Sequence, residues 1–313
     1  MSAEVVWEVK IKKINIPDDK RVICISDIHG EIELFTKLLD KVKFCDDDIL
    51  VLIGDLYLKG SKPDETLDYI VNLGKRENVF VVRGNCDWKH EKHQEWLDNL
   101  PLIIDSEKYT FVHGGLEAKP LEEQDFEYIV SRYAFMEEAP KFDKWVVTGH
   151  WPTKNYCHEV ACVNPIANKE KRVIAIDGGN VITFGGQLNA FMIKNGGFSF
   201  ESVDNYAVAV ATHRQKEQKG TLNITWDDRF IDIIKRDKEF SVIRHIATGI
   251  ELTVPTARIE KDDEGRWWCG KTATNHWPAV RVGDVVSVVE SYSDRHFIKK
   301  DGVLGWISLE TIE

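Results

Sequence analysis

Five apolar runs in this chain end in side chains that bind divalent cations. Val22–Ile25 leads into Ser26-Asp27-Ile28-His29-Gly30, Ile49–Ile53 into Gly54-Asp55-Leu56, and Val79–Val82 into Arg83-Gly84-Asn85-Cys86-Asp87. Tyr109–Val112 leads into His113-Gly114-Gly115, and Trp145–Val147 into Thr148-Gly149-His150-Trp151-Pro152. Asp27, His29, Asp55, Asn85, His113 and His150 offer carboxylate, amide and imidazole donors, a mixture suited to Mn²⁺, Fe²⁺ or Zn²⁺. Six donors exceed what one tetrahedral zinc uses. They suit two ions sharing one carboxylate, about 3.5–4 Å apart as in other dinuclear hydrolases. Each corner alone is a weak signal, since Gly-Asp is a common turn and Asp readily caps a helix. Their joint occurrence carries the reading.

The elements that would position these donors follow from hydrophobic pattern. Runs of four or five Val- and Ile-rich residues without alternation read as strands buried on both faces. Val173–Ile176 adds a sixth run, ending at Asp177-Gly178-Gly179. Ile32, Phe35, Leu38, Leu39 and Val42 keep the spacing of one helix face. Pro63 to Gly74 reads as a helix with proline near its start and glycine at its end. Strand–helix–strand repetition implies an α/β layered fold, with the corners at one edge of one sheet, outside the carboxyl ends of its strands. Val181–Phe184, Asn189–Lys194 and Gly197–Val203 read as β-ribbon. The alternation of Val5, Trp7, Val9 and Ile11 reads as an edge strand.

In this order the motifs resemble the calcineurin-like metallophosphoesterase superfamily over roughly residues 20–200. The family's GDxHG stands here as SDIHG, GDxxDRG as GDLYLKG, GNHE as GNCD, and its two histidine motifs as HGG and GHWP. The resemblance implies a layered α/β/β/α sandwich in which Asp27 and His29 hold the first metal and Asp55 bridges. Asn85, His113 and His150 would hold the second. Trp151 and Pro152 follow His150 where phosphodiesterase-type members carry a second His. This places the chain beside the phosphoprotein phosphatase and diadenosine tetraphosphatase branch, although GNCD looks more like the phosphodiesterase-type members.

Two positions depart from the family. The histidine that protonates the leaving group falls at Cys86, and the aspartate that orients it falls at Leu58. A neutral thiol, with a pKa near ~8.5, is a poor proton donor to an alkoxide. The family arginine beside that aspartate becomes Lys59, which keeps the charge but not the two-pronged phosphate grip. His90 and His93, three apart on an expected helix, are either a replacement acid or a solvated polar face. Arg132 sits where related phosphatases place a phosphate-binding arginine, against the alternative of a surface ion pair. Asp177 either orients a ligand histidine or closes a turn.

At 313 residues the chain is long enough for two domains, and with 43% hydrophobic and 30% charged residues it can build a core. A net charge of −11 argues against non-specific binding to nucleic acid or anionic membranes. No run approaches the ~20 residues of a membrane span, and Met1–Lys10 lacks an export signal. Six scattered cysteines form no disulfide framework, so a cytoplasmic location is expected. Texture changes near Asp204. The division expected is a catalytic domain over 1–204, a polar linker over 205–220 and an all-β domain over 221–313. Within the last, about 240–313 resembles a bacterial Src-homology-3-like barrel, which implies a peptide or protein partner. Trp267 and Trp268 are adjacent, so on a strand they face opposite sides.

The expectation is a two-domain metallophosphoesterase with two divalent ions, Mn²⁺ first and Fe or Zn as alternatives. A hydroxide held between the metals would hydrolyse phosphate monoesters, as in serine/threonine phosphatases, with Asn85, Lys59 and Arg132 neutralising phosphoryl oxygens. The alternatives are a dinucleoside polyphosphate hydrolase or small phosphodiesterase and, outside catalysis, a phosphatase-fold scaffold with a peptide-binding barrel.

Overall fold

The computed structural model describes residues 9–312. Of the expected edge strand, Val5 and Trp7 lie outside the described residues, and Ile11–Lys13 forms β1. The chain divides into two compact units. Among the described residues, the first comprises 9–152, 165–181 and 187–204, and the second comprises 153–164, 182–186 and 205–312.

In the first unit the expected buried strands appear as β2 (Val22–Ile25), β3 (Ile49–Ile53) and β4 (Val79–Val82). Helices α1 (Ile32–Lys41) and α2 (Pro63–Leu73) alternate with them, and α3 (Gln94–Asn99) follows. Next come β5 (Ile103–Asp105), β6 (Tyr109–Val112), the short helices α4 (Phe126–Ser131) and α5 (Phe135–Glu138), and β7 (Trp145–Thr148). β8 (Ile166–Asn168), β9 (Val173–Ala175), β10 (Leu188–Lys194) and β11 (Gly197–Val203) complete the unit.

These strands make two sheets rather than one, ordered β11-β10-β2-β3-β4 and β1-β5-β6-β7-β9-β8. Side-chain alternation along β2 and β3 explains why their runs are continuously apolar. Ile23, Ile25, Leu50 and Leu52 join a core with α1 and α2. Val22, Cys24, Ile49, Val51 and Ile53 point the other way, into a core shared with Phe111, Val147 and Ile174 of the second sheet. The parallel pairs β2–β3–β4 and β6–β7 therefore end side by side. The corners come from two sheets, which corrects the single-sheet expectation.

Val181–Phe184 is turn rather than ribbon: Val181 has φ +67°, incompatible with a strand, and glycine pairs flank the segment. The helix expected around His90 starts later, at Gln94, with His93 at its N-cap.

The second unit is all β. A four-stranded antiparallel sheet runs Ala207–Val210, Val285–Ser291, Arg295–Lys300 and Val303–Ser308, so residues 205–220 supply a paired strand rather than a free linker. A three-stranded meander comprises Ile231–Arg236, Phe240–His245 and Glu251–Pro255. Trp306 is buried against Phe297 and Leu304 together with Ala161 and Val163 of the early excursion. Trp267 and Trp268 diverge as expected, the first packing on the local core beneath Arg236 and Lys261, the second against Trp226 and Arg229. Among the described residues, no helix is long and apolar enough to cross a membrane.

Candidate metal centre

Each donor sits one to four residues beyond a strand end, on backbone bent sharply enough to turn its side chain back over the edge. Asp27, His29, Asp55 and His150 all have left-handed φ, between +50° and +65°. That region is uncommon for residues other than glycine and clusters at functional sites. Backbone bonds lock the corners together. Asp27 N–H donates to Gly54 O, His29 N–H to Asp55 O and Gly149 N–H to His113 O. Gly84 is required by close approach, because a Cβ there would lie 2.3 Å from Asp55 N and 2.4 Å from its Oδ1.

All six expected ligands are brought together. Ligand atoms of Asp27, Asp55 and His113 lie within 4.8 Å of one another, as do those of His29, Asp55 and Cys86, the last through its sulfur. Asp55 belongs to both groups, the placement a bridging carboxylate needs. Asn85 Oδ1 lies 3.0 Å from both His113 Nε2 and His150 Nδ1. Ligands about 2.0–2.2 Å from one ion lie about 3 Å apart when set at right angles, so this trio fits a shared cation.

The imidazoles are oriented from behind. His29 Nδ1 donates to Leu58 O at 2.9 Å and His113 Nδ1 to Ile53 O at 2.7 Å, which points each Nε2 into the cluster. His29 Nε2 and Asp27 Oδ1 are buried without a hydrogen-bond partner. Orphaned polar atoms of this kind are costly and call for an explanation, which a divalent ion supplies. The site residues therefore fit a pair of metals on the chemistry and aim of their donors.

Electrostatics point the same way. Burial pushes Asp27 up to about 6, and burial pushes His29 and His150 down to about 4 and about 3. Neutral imidazoles are the ligating form. Burial opposes charge on His113, yet Asp55 and Asp27 push it up to about 10. Asp55 stays well below the usual carboxylate range despite burial, through the charge of His113 and its hydrogen bond, helped by His29 and the Cys86 side chain. The pocket thus concentrates negative charge that a cation would balance.

The remaining candidates divide. Lys59 is exposed at the same corner, hydrogen-bonded to Cys86 and in the field of Asp55 and Asp27. Arg132 pairs with Glu138 and lies over the Tyr128 ring, so the ion pair is the arrangement observed. His90 and His93 face Asp64 and Asp68 of α2 instead of the cluster. Asp177 closes a turn through Gly179 N–H at 2.7 Å, and burial, then the charge of Asp27, push its carboxyl well above the usual range.

Two residues without an expected role support the site. The buried Asp87 carboxylate accepts from Asp55 N, Leu56 N and Gly84 N at 2.8–2.9 Å, tying the β3 and β4 corners together. An acid three residues after Gly84 was the available signal. Tyr133 stacks on His150 at 5.4 Å, a contact no local spacing announces.

The chain matches the calcineurin-like phosphoesterase family over residues 20–185. It is 34% identical over 107 residues to the symmetrical bis(5'-nucleosyl)-tetraphosphatase of Buchnera aphidicola subsp. Baizongia pistaciae, covering 31% of this chain and 37% of that protein. To the namesake from Nitrosococcus oceani it is 30% identical over 123 residues, 30% of this chain and 44% of that one. The chain spans less than half the length of these curated relatives. A crystal structure described provisionally as a diadenosine tetraphosphatase shares the fold, with a TM-score of 0.50 at 21% identity, covering 63% of this chain and 99% of its own. The family match takes in the corners from Asp27 to His150, and with more than half of its length matched this chain belongs to the calcineurin-like phosphoesterase family.

Proposed function

We propose that this chain is a metal-dependent phosphoester hydrolase whose best substrates carry a good leaving group, phosphoanhydrides of the dinucleoside polyphosphate class foremost. The observation behind this reading is the leaving-group corner. Where relatives carry a His–Asp pair, this chain has Cys86 and Leu58, and burial pushes the Cys86 thiol up to about 12. The nearby imidazoles of His90 and His93 are engaged by carboxylates of α2. A nucleoside phosphate leaves without needing a proton in flight, whereas a serine alkoxide does need one. The curated relatives named above support the same substrate class.

Asp27, His29 and Asp55 would hold one divalent ion, with Asp55 shared and Asn85, His113 and His150 holding the other. Such ions supply Lewis acidity and a nucleophile derived from water at neutral pH. Leu58 O and Ile53 O keep the Nδ1 protons of His29 and His113 in place and leave each Nε2 for ligation. Lys59 offsets charge on the phosphoryl oxygens. Arg132 would join it only by leaving Glu138.

Phosphomonoester hydrolysis is the second reading: Trp151-Pro152 after His150 disfavours the diester branch without choosing between monoester and dinucleoside polyphosphate. A panel of diadenosine tetraphosphate, p-nitrophenyl phosphate, bis-p-nitrophenyl phosphate and a phosphoserine peptide separates the two. The proposal expects kcat/KM to fall steeply as leaving-group pKa rises, with the peptide slowest. A flat dependence would overturn it.

A further inference from the structure

We propose that the Cys86 thiolate is a metal ligand, and that it makes the first metal position selective for a thiophilic ion such as Zn²⁺, Co²⁺ or Fe²⁺ over Mn²⁺. This rests on the dinuclear reading above. The Cys86 sulfur lies within 4.8 Å of ligand atoms of both His29 and Asp55. Its backbone is pinned there, because Cys86 N–H donates to Asp55 Oδ1 at 2.8 Å. Asn85 Nδ2 faces the sulfur at 3.6 Å.

An independent observation points to an ion at the same spot. His29 Nε2 is fully buried, has no hydrogen-bond partner, and faces Asp55 Oδ2 at 3.7 Å and Asp27 Oδ1 at 3.8 Å. Its other nitrogen is occupied by Leu58 O, so Nε2 can only accept. A nitrogen lone pair, the Asp55 carboxylate and a sulfur then lie within ligand reach of one another, with Asp27 Oδ1 beside the same nitrogen. Carboxylate and imidazole alone discriminate little among first-row ions, and a thiolate shifts the preference towards soft ones. On ligation the S–H proton passes to solvent as the sulfur–metal bond forms, with no change of oxidation state. Lys59 is hydrogen-bonded to the same sulfur.

Cobalt substitution tests this on the full chain. Co²⁺ added to metal-stripped protein is expected to give visible d–d bands together with an intense near-ultraviolet sulfur-to-cobalt charge-transfer band. Cys86→Ser should lose the second and keep the first, while Cys157→Ser keeps both. The Zn²⁺-over-Mn²⁺ affinity ratio should fall at least about 10-fold in Cys86→Ser, the lower end of what changes around a metal site cost. X-ray absorption on the wild-type cobalt protein needs no variant and should show a sulfur neighbour at about 2.3 Å. Visible bands without sulfur ligation in the wild type would overturn this inference and leave the dinuclear site standing. A charge-transfer band that survives in Cys86→Ser would overturn it equally. Failure of Co²⁺, Zn²⁺ and Mn²⁺ to bind at all would overturn both.

Discussion

Six side chains from five strand ends meet at one centre, held there by groups that are not themselves candidate ligands. Asp27, His29, Asp55, Asn85, His113 and His150 stand out because glycine corners follow apolar runs, and the structure gathers all six. The orientation of His29 and His113 depends on backbone carbonyls of Leu58 and Ile53 that no side-chain pattern encodes. Asp87 was visible in its motif, but its work is done through three backbone N–H groups on two strands. Asp87→Asn would set an amide N–H against a backbone donor. It should cost about 1–3 kcal/mol in urea unfolding and lower metal affinity by about 10–100-fold by calorimetry, through Asp55. Unchanged metal affinity would show that Asp87 stabilises the corner without positioning the ligand.

At the scale of elements, strand and helix positions followed from apolar runs and caps, whereas the assignment of strands to sheets did not. The runs of β2 and β3 have two buried faces whether helices or another sheet cover them, so pattern alone cannot say which. Only the long-range pairing separates β6–β7 from β2–β3–β4. Close packing of the corners predicts that Gly84→Ala, whose Cβ would meet Asp55 backbone and carboxylate, destabilises the first unit by about 1–3 kcal/mol and impairs metal binding. Wild-type-like denaturation and binding would contradict that packing.

The starts of β2 and β3 are joined by the Arg21–Asp48 pair, with Nη2 to Oδ2 at 2.7 Å and Nε to Oδ1 at 2.8 Å. Although burial opposes the charge, Arg21 and Cys45 N–H hold the Asp48 carboxyl below its usual value. A depressed folded pKa gives stability that is full above the unfolded value, ~3.9, and is lost as pH falls through the folded one. Asp48→Asn should therefore cost about 1 kcal/mol at pH 7. The difference should shrink below about pH 4. A pH-independent difference would place the effect elsewhere.

At the scale of the whole molecule, the division into units was legible only in outline. The first unit ends at Asp204, but residues 153–164 and 182–186 belong with the second unit. Ala161 and Val163 pack with Phe297, Leu304 and Trp306, partners more than a hundred residues away that local composition cannot reveal. Binding of metal to the folded chain alone also has a global consequence. At free metal 100-fold above Kd, one site should add about 2.7 kcal/mol to the stability of the unit that holds it. A metal-dependent rise in melting temperature is expected in wild type and should be strongly reduced in Asp55→Asn.

Asp55, shared between two ligand groups, would organise a dinuclear phosphoester-hydrolysing site. This role is tested most directly by hydrolysis of diadenosine tetraphosphate and p-nitrophenyl phosphate, using metal-stripped protein with Mn²⁺, Zn²⁺ or Fe²⁺ restored, beside Asp55→Asn. Metal-dependent turnover is expected in the wild type, with a loss of at least about 100-fold in the variant, the scale of losing one electrostatic stabiliser. Metal-independent turnover, or an Asp55→Asn protein as active as wild type, would contradict it.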